Sequence, residues 1–157
     1  MPNKLIVKEA VLGTEVDLEK LFRSAFGPYV EKLGRELTQN AYDWLQHSIR
    51  ERNIWIALHG NELAGVVAIV RENESWSIDQ IAVCPHMQGM GVGSELLLEI
   101  ERIARENNVK RLTLDTAKMM SDLIRLYTRI GFHIYREGNA THNKDSHPRV
   151  YMEKILE

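Results

Sequence analysis

Three glycines, Gly89, Gly91 and Gly93, fall within five residues, after an apolar run and before a pattern typical of a helix. Glycine costs conformational entropy wherever ordinary backbone geometry suffices, so this cluster indicates a need for bare backbone. The first N–H groups of a helix have no intrahelical acceptor, and the helix dipole adds about half a positive charge there. The stretch therefore predicts an anion site, and a diphosphate is a natural guest.

Two phosphate-binding fingerprints do not fit this loop. A Walker loop requires a lysine after its last glycine, and none follows here. A Rossmann fingerprint counted from Gly89 would place its third glycine at Ser94, and it belongs in the first strand–helix–strand unit of its fold. Three predicted strands and two predicted helices precede the strand that leads into this loop. The remaining interpretation is an anion-binding nest of backbone amides that has neither fingerprint. Generic nucleotide binding at this nest is one of the functions that it allows.

Two longer stretches make the interpretation more specific. Gln88–Gly93 matches the pattern Q/R-x-x-G-x-G/A, and Leu123–Phe132 reads LIRLYTRIGF, a helix with an apolar-Tyr pair that ends in Gly-Phe. Together they resemble the two signatures of the GNAT superfamily of N-acyltransferases, in that family's order and spacing. The resemblance covers roughly the whole chain and is weakest over residues 10–50. It implies transfer of an acetyl group from acetyl-CoA to a primary amine by direct attack.

The resemblance also implies which residues bind acetyl-CoA. In the family the fourth and fifth strands splay apart and the pantetheine arm fills the gap, which here assigns the arm to Ile81, Ala82 and Val83. The Val83 amide would polarise the thioester carbonyl in an oxyanion-type role. The pyrophosphate would be held by the amides of the loop, which are those of Gln88, Gly89, Met90, Gly91, Val92, Gly93 and Ser94.

Two side chains are candidates for proton transfer. The family places a tyrosine hydroxyl at the leaving thiolate, and Tyr127 occupies that position here as the general acid. Tyrosine suits the role because its hydroxyl is protonated at pH 7; a ring packed in the core is the alternative. Asp79 shares strand parity with Ile81 and Val83, which makes it the candidate base and a residue of the amine site. An aspartate that is bound by backbone or solvated at a strand bulge is the alternative.

One position departs from the family pattern. Seven residues before the tyrosine the family often has an asparagine that bonds the pantetheine arm, and here Met120 stands there. A thioether cannot donate that hydrogen bond. Ser121 can substitute, or the arm is held by fewer bonds. This departure motivates a second hypothesis, a non-catalytic acyl-CoA-binding sensor or interaction module of the same fold.

The acceptor site is placed by the resemblance alone. The first helical pair covers that site in the family, so Phe26 and Tyr29 are expected to line an amine pocket, although plain packing is equally consistent. The acceptor classes are a small-molecule amine and a peptide or protein amine. Acceptor pockets consist of variable loops and helices, so the sequence does not choose between them.

Other reactive side chains give weaker patterns. Cys84 is the single cysteine, no Cys-His-acid pattern accompanies it in the sequence, and a cysteine after a strand is usually buried and inert. His142, Asp145 and His147 lie close together in a polar loop, but their spacing matches no zinc signature. We therefore expect no nucleophilic cysteine and no metal.

The element pattern predicts a mixed α/β fold of order βααβββαβαββ, with a mostly antiparallel sheet flanked by helices. Gly60-Asn61 between two apolar runs predicts a hairpin, and Glu72–Ser75 is the next predicted turn. In the helix after the glycine loop the spacing predicts a buried stripe of Leu96, Leu97, Ile100, Ile103 and Ala104. Gly131 is the predicted C-cap of the next helix. The predicted strands are Lys4–Glu9, Ile54–Leu58, Leu63–Val70, Trp76–Val83, Val109–Asp115, Phe132–Glu137 and Arg149–Leu156. The first predicted helix begins at Thr14 and is stopped by Gly27-Pro28, and the second begins after Thr38 with Ala41, Trp44, Leu45 and Ile49 on one face. Two further helices are predicted at Ser94–Asn108 and Ser121–Ile130.

Composition sets the remaining bounds. The 157 residues fit one domain over residues 1–157, and 44% hydrophobic with 27% charged residues is ordinary for a globular protein. A net charge of -2 gives no case for nucleic acid. No apolar run is long enough for a membrane span and no signal-peptide pattern is present, so a cytoplasmic protein is expected. Pairing of C-terminal strands between protomers is common in that family, so the resemblance also suggests a homodimer.

Overall fold

A computed structural model describes residues 4–32, 34, 36–139 and 148–156. The order of its elements confirms the predicted mixed α/β fold. In chain order they are β1 (Leu5–Glu9), α1 (Glu15–Lys32), α2 (Leu45–Arg50), β2 (Ile54–His59), β3 (Glu62–Glu72), β4 (Ser75–Val83), a 3-10 turn (Pro85–Met87), α3 (Val92–Glu106), β5 (Arg111–Ala117), α4 (Ser121–Arg129), β6 (His133–Asn139) and β7 (Pro148–Ile155).

The strands form a seven-stranded sheet in the order β1-β2-β3-β4-β5-β7-β6. Neighbours are antiparallel except β4 and β5, which are parallel. The predicted hairpin lies between β2 and β3, where Gly60 has a φ of 64° that suits glycine. The second predicted turn joins β3 to β4 at Asn73, whose φ is 47°. These turns fix the register of the β2–β4 meander.

Each face of the sheet carries its own core. On one face α3 packs the stripe predicted from its sequence, in which Leu96, Leu97, Ile100 and Ala104 are buried. On the other face α1 and α2 cover β2, β3 and the end of β4 with Leu18, Phe22, Leu45 and Ile49. The sheet is therefore sandwiched between helices, and none of the helices in the described residues combines the length and apolar composition that a membrane crossing requires.

Helix α1 corrects one prediction. It continues through Gly27 and Pro28 to Lys32, whereas the Gly-Pro pair was expected to stop it. Proline in a helix removes one backbone hydrogen bond and also clashes with the Cβ of the preceding residue. The second part of this cost is absent here, because Gly27 has no Cβ. The ring of Phe26 also packs on Phe22 at a centroid distance of 5.6 Å, which favours continuation. Tertiary packing has overridden a local stop signal.

Helix α2 is shorter than predicted. Residues 39–44 form turns, and the helix begins at Leu45 instead of after Thr38. The predicted apolar face is correct in its buried members, because Leu45 and Ile49 are buried. Trp44 is half-buried, and its indole N–H donates to the Ala41 carbonyl at 2.9 Å. That bond stabilises a turn where the sequence pattern indicated a helix.

The parallel pairing of β4 and β5 is short. It joins Ser75–Ser77 to Arg111–Thr113, and beyond those residues the two strands diverge. Strand β4 continues to Val83 and β5 to Ala117, so the remaining lengths face each other without ladder hydrogen bonds. We call this gap the opening. It agrees with the splay expected for the fourth and fifth strands.

Candidate active site

The glycine loop leads directly into the N-terminus of α3. Gly91 is the N-cap residue with a φ of 83°, and Gly89 has a φ of 87°. The N–H of Glu95 donates to the Gly91 carbonyl at 3.0 Å, so the amides of residues 92–94 have no carbonyl one turn earlier in the helix. No side chain caps this end. These amides are consequently available to an anion.

Two features of the loop distinguish among the residues whose backbone amides were predicted to bind the pyrophosphate. The N–H groups of Gln88 and Met90 already donate, at 3.4 Å, to the carbonyls of Pro85 and Met87. Gly93 has ordinary helical geometry, and a Cβ on it would lie 3.7 Å from Val83 Cγ2. The positive φ angles single out Gly89 and Gly91 as the positions where the backbone itself requires glycine.

We expect Gly91→Ala to weaken CoA binding by about tenfold or more, because an alanine at positive φ costs about 1–2 kcal/mol and shifts the cap. Gly93→Ala is the matched control, since its added Cβ makes ordinary contacts and leaves affinity nearly unchanged. Isothermal calorimetry with CoA measures both. Equal losses in the two variants would contradict the assignment.

The main chain of β4 aims two N–H groups into the opening. The Cys84 N–H donates to the Ala64 carbonyl of β3 at 2.8 Å. Donors alternate between the two sides of an antiparallel strand, so the N–H groups of Val83 and Ile81 point away from β3 and towards β5. Ala82 lies between them with its side chain buried against α1. The predicted main-chain contacts of Ile81 and Val83 therefore have suitable geometry.

Tyr127 lies on α4 at the same end of the sheet. It is buried, and its ring packs edge-on against Phe132 at a centroid distance of 6.2 Å. Burial raises the pKa of Tyr127 well above its ordinary value, and Tyr29 and Asp115 add to the rise. The hydroxyl therefore stays protonated throughout the physiological range. The ring of Tyr127 packs in the core and its hydroxyl keeps a proton, so the core-packing and proton-donor interpretations are compatible.

The C-terminal half of α1 reaches the open end of β5. The Tyr29 hydroxyl lies 3.5 Å from Oγ1 of Thr116, and the Phe26 ring lies 6.3 Å from the Tyr29 ring. Phe26 and Tyr29, which were predicted to line the amine pocket, thus lie on one segment beside the opening. Sequence reasoning did not identify Thr116, because a threonine in a strand gives no signal of its own.

A partly buried ion pair supports the same end of β5. Arg149 Nη2 lies 2.9 Å from Asp115 Oδ2, with side-chain exposures of 10% and 25%. The register places Arg149 opposite Ala117, so the pair ties the diverging end of β5 to β7. Sequence reasoning missed both residues, since they are far apart in the chain and only the β5–β7 register brings them together. The pair positions β5 at the edge of the opening.

Asp79 lies at a break in the strand alternation. Ile69 pairs with Ile78 and Ala68 with Gln80, which makes Asp79 the extra residue of a β-bulge. Ile78 and Ile81 pack on the same core although their numbers differ in parity. Parity therefore does not determine the direction of Asp79, and that argument for the base is corrected. The side chain is exposed; its role as a base and in the amine site stays a prediction.

The two residues at the departure from the family pattern begin α4. Met120 is half-buried and its carbonyl accepts from the N–H groups of Leu123 and Ile124 at 3.1 Å. Ser121 is the exposed first residue of the helix, and no side chain caps that end. The Ser121 hydroxyl is therefore accessible from solvent, as substitution for an asparagine would require.

Cys84 is less buried than its position after a strand indicated. It is partly exposed, and its Sγ lies 3.1 Å from Nδ1 of His86. The other ring nitrogen of His86, Nε2, lies 2.7 Å from Oε1 of Glu62. A Cys-His-acid arrangement thus exists in three dimensions, because the β3–β4 pairing brings in a glutamate 24 residues away. His142, Asp145 and His147, the other candidate cluster, lie outside the described residues.

Comparisons with solved structures support the fold. Ard1 from Thermoplasma volcanium is 21% identical with a TM-score of 0.78, over 98% of both chains. PaiA N-acetyltransferase from Thermoplasma acidophilum, solved with coenzyme A, is 15% identical with a TM-score of 0.77, over 98% of this chain and 99% of that one. A GNAT family acetyltransferase from Elizabethkingia anophelis with acetyl-CoA bound is 17% identical with a TM-score of 0.74, over 97% and 98%.

Sequence comparisons identify the family. No curated protein matches this chain. The model of the acetyltransferase (GNAT) family matches residues 16–132, which include both signatures noted in the sequence. This match covers most of the chain, and the opening, the uncapped α3 N-terminus and the tyrosine on α4 lie in or directly beside it. The chain belongs to the GNAT acetyltransferase family.

Proposed function

We propose that this protein is an N-acetyltransferase that moves an acetyl group from acetyl-CoA to a primary amine. The observation that carries the proposal is the opening between β4 and β5, with the N–H groups of Ile81 and Val83 turned into it. These are hydrogen-bond donors in an incomplete sheet, and an extended amide-containing arm supplies the acceptors they lack. Acetyl-CoA carries such an arm and a diphosphate at its far end.

The two halves of this binding site lie side by side. A Cβ on Gly93, in the first turn of α3, would lie 3.7 Å from the Val83 side chain, so the uncapped helix end adjoins the end of β4. In the proposal the amides of residues 92–94, with those of Gly89 and Gly91, bind the diphosphate. Val83 binds the thioester carbonyl through its N–H. Ser121 and Met120 lie at the start of α4 as the other predicted contacts.

Tyr127 would donate a hydrogen bond and then its hydroxyl proton to the departing sulfur, and the proton that the amine loses on acetylation would restore the hydroxyl. The amine nitrogen forms a bond to the acetyl carbon while the bond from that carbon to sulfur breaks, and negative charge accumulates on sulfur. A neutral hydroxyl stabilises that charge, and the raised pKa of Tyr127 keeps the hydroxyl neutral. No covalent enzyme intermediate is needed. Phe26 and Tyr29 would line the amine site, which admits a small-molecule, peptide or protein amine.

If Asp79 removes the proton of the incoming ammonium group, Asp79→Asn should lower kcat/KM by about 10²–10⁴-fold, the usual contribution of a general base. The residual activity should rise with pH, since more of the amine then arrives unprotonated. Asp122→Asn is the matched control, because Asp122 is an exposed residue of α4 that pairs with Arg125. Unchanged kinetics in Asp79→Asn would assign the proton to water or another group.

The direct test mixes the protein with acetyl-CoA and a broad amine panel and follows free thiol, with CoA binding measured by calorimetry. Release of thiol that depends on an amine supports the proposal. CoA binding without transfer to any amine would favour the acyl-CoA sensor, which Met120 motivates. Competition by dinucleotides but not by desulfo-CoA would favour a generic nucleotide site. No CoA binding and no transfer would contradict the proposed function.

A further inference from the structure

Three side chains with metal-binding atoms meet on the surface where β3 begins and β4 ends. The Cys84 sulfur, a ring nitrogen of His86 and a carboxylate oxygen of Glu62 all lie within 4.8 Å of one another. His86 Nε2 is 2.7 Å from Glu62 Oε1 and 4.0 Å from Cys84 Sγ. None of these side chains has a part in the proposed acetyl transfer.

The backbone holds the three positions in place. Strands β3 and β4 pair as far as Gly65 and Val83, and one residue further the Cys84 N–H donates to the Ala64 carbonyl. Pro85 restricts the backbone between the cysteine and the histidine, which lies in the 3-10 turn. Glu62 is the first residue of β3. The Cα positions are thus set by paired strands and a short turn, while the side chains can rotate.

The distances suit a tetrahedral metal ion. Bonds of about 2.0–2.3 Å at the tetrahedral angle place two donor atoms about 3.3–3.6 Å apart. Relative to that range, the His86–Glu62 separation is slightly short and the His86–Cys84 separation slightly long. Adjustments of about 0.5 Å correct both. The third pair, Cys84 Sγ and the Glu62 carboxylate, lies within 4.8 Å and has to close by up to about 1.2 Å to reach the same range. The side chains of His86 and Glu62 are 64% and 55% exposed, so these adjustments meet no packing resistance.

The chemical types of the three donor groups indicate which metal ion the site prefers. A thiolate with an imidazole is a set for zinc, whereas magnesium and calcium prefer oxygen ligands throughout. One carboxylate completes three protein ligands, and a cavity of about 610 Å³ lined by Cys84 and Glu62 leaves room for water at the fourth position. The sequence offered no such pattern, because Glu62 is distant in the chain and the other two residues form only a Cys-x-His pair.

We propose that Cys84, His86 and Glu62 form a zinc site that joins the start of β3 to the segment preceding the glycine loop. The expectation that this protein holds no metal rested on the spacing of residues in the sequence, and it is revised here. The site is independent of the proposed acetyl transfer, and its test does not measure activity.

Because Cys84 is the single cysteine, its alkylation reports on this site alone. The full chain, freed of metal, is treated with iodoacetamide and followed by intact mass, and Zn²⁺ affinity is measured by competition with a chromophoric chelator. One equivalent of Zn²⁺ should slow alkylation by about tenfold or more, since a ligated thiolate is not free to attack. Mg²⁺ at millimolar concentration should have no effect.

Variants separate the site from a cysteine that binds zinc by itself. His86→Gln and Glu62→Gln should each weaken Zn²⁺ affinity by about tenfold or more and abolish the protection at one equivalent. His133→Gln, an exposed histidine of β6 that lies 3.3 Å from a carboxylate oxygen of Glu153, is the matched control and should retain both. Alkylation that ignores zinc, or equal affinities in the wild type and both variants, would overturn the proposal.

Discussion

Replacing Tyr127 with phenylalanine should lower kcat by about 10²–10⁴-fold and leave CoA affinity within about twofold of the wild type. The substitution removes only the hydroxyl, so the ring contact with Phe132 is kept. Sulfur would then leave as a thiolate without a proton donor. Steady-state kinetics with saturating amine and calorimetry with CoA give the two quantities.

The pH dependence adds a second measurement on the wild-type protein. A group with a raised folded-state pKa keeps its proton beyond the pH at which the free side chain loses it, which for tyrosine is about 10. Because burial raises the pKa of Tyr127, kcat should show no decline from this hydroxyl up to about pH 10. A basic limb near pH 8 would point to a different acid.

Tyr42→Phe is the matched control for Tyr127→Phe. Tyr42 is also buried, and burial raises its pKa to about 12, but it stacks on Phe22 under α1. Its hydroxyl has no part in the proposed chemistry, so turnover should be unchanged. If Tyr127→Phe loses turnover and CoA affinity together while Tyr42→Phe loses neither, Tyr127 is structural and the proton-donor role is wrong.

Gly65→Val should strongly destabilise the protein and weaken CoA binding at the same time. A Cβ on Gly65 would lie 2.7 Å from Val92 Cγ1, 3.0 Å from Leu96 Cδ1 and 3.1 Å from the Ala82 carbonyl oxygen. The side-chain contacts could shift, but the carbonyl is backbone of the neighbouring strand. Overpacking of this kind costs about 1–3 kcal/mol for small additions, and valine adds three carbons.

The effect on binding follows from where the contact lies. Val92 is the first residue of α3, so moving it displaces the amides of residues 92–94 that are proposed to bind the diphosphate. Urea unfolding should show a lower free energy of unfolding, and calorimetry with CoA an affinity lower by about tenfold or more. Gly138→Ala in β6 is the control, because an added Cβ there meets nothing within 4 Å. Equal behaviour of the two variants would contradict the close approach of α3 to β3.

The parts of the fold that were predicted correctly are those with local causes. The turns at Gly60 and Asn73 follow from residues that tolerate positive φ, and the buried face of α3 follows from helical spacing of Leu96, Ile100 and Ala104. The positive φ of Gly131 just after α4 is of the same kind. Each depends on a few neighbouring residues, so the sequence pattern is sufficient.

The parts that were wrong or missed depend on residues distant in the chain. Helix α1 passes Pro28 because its aromatic side chains have packing partners, and a local rule does not include them. The bulge at Asp79 appears only in the pairing of β3 with β4, where one strand has a residue more than the other. The approach of Glu62 to His86 depends on the same pairing. Strand register decides these features, and a pattern along one strand does not contain it.

The opening has a thermodynamic consequence for the whole protein. The parallel ladder that joins β1–β4 to β5–β7–β6 consists of three residue pairs. The two parts of the sheet therefore share few backbone hydrogen bonds. A ligand that bridges them in the folded state, and has no partner in the unfolded chain, adds about 2.7 kcal/mol when its concentration is 100 times its Kd. With acetyl-CoA as that ligand, the resistance of this protein to unfolding and proteolysis would follow the acyl-donor supply of the cell.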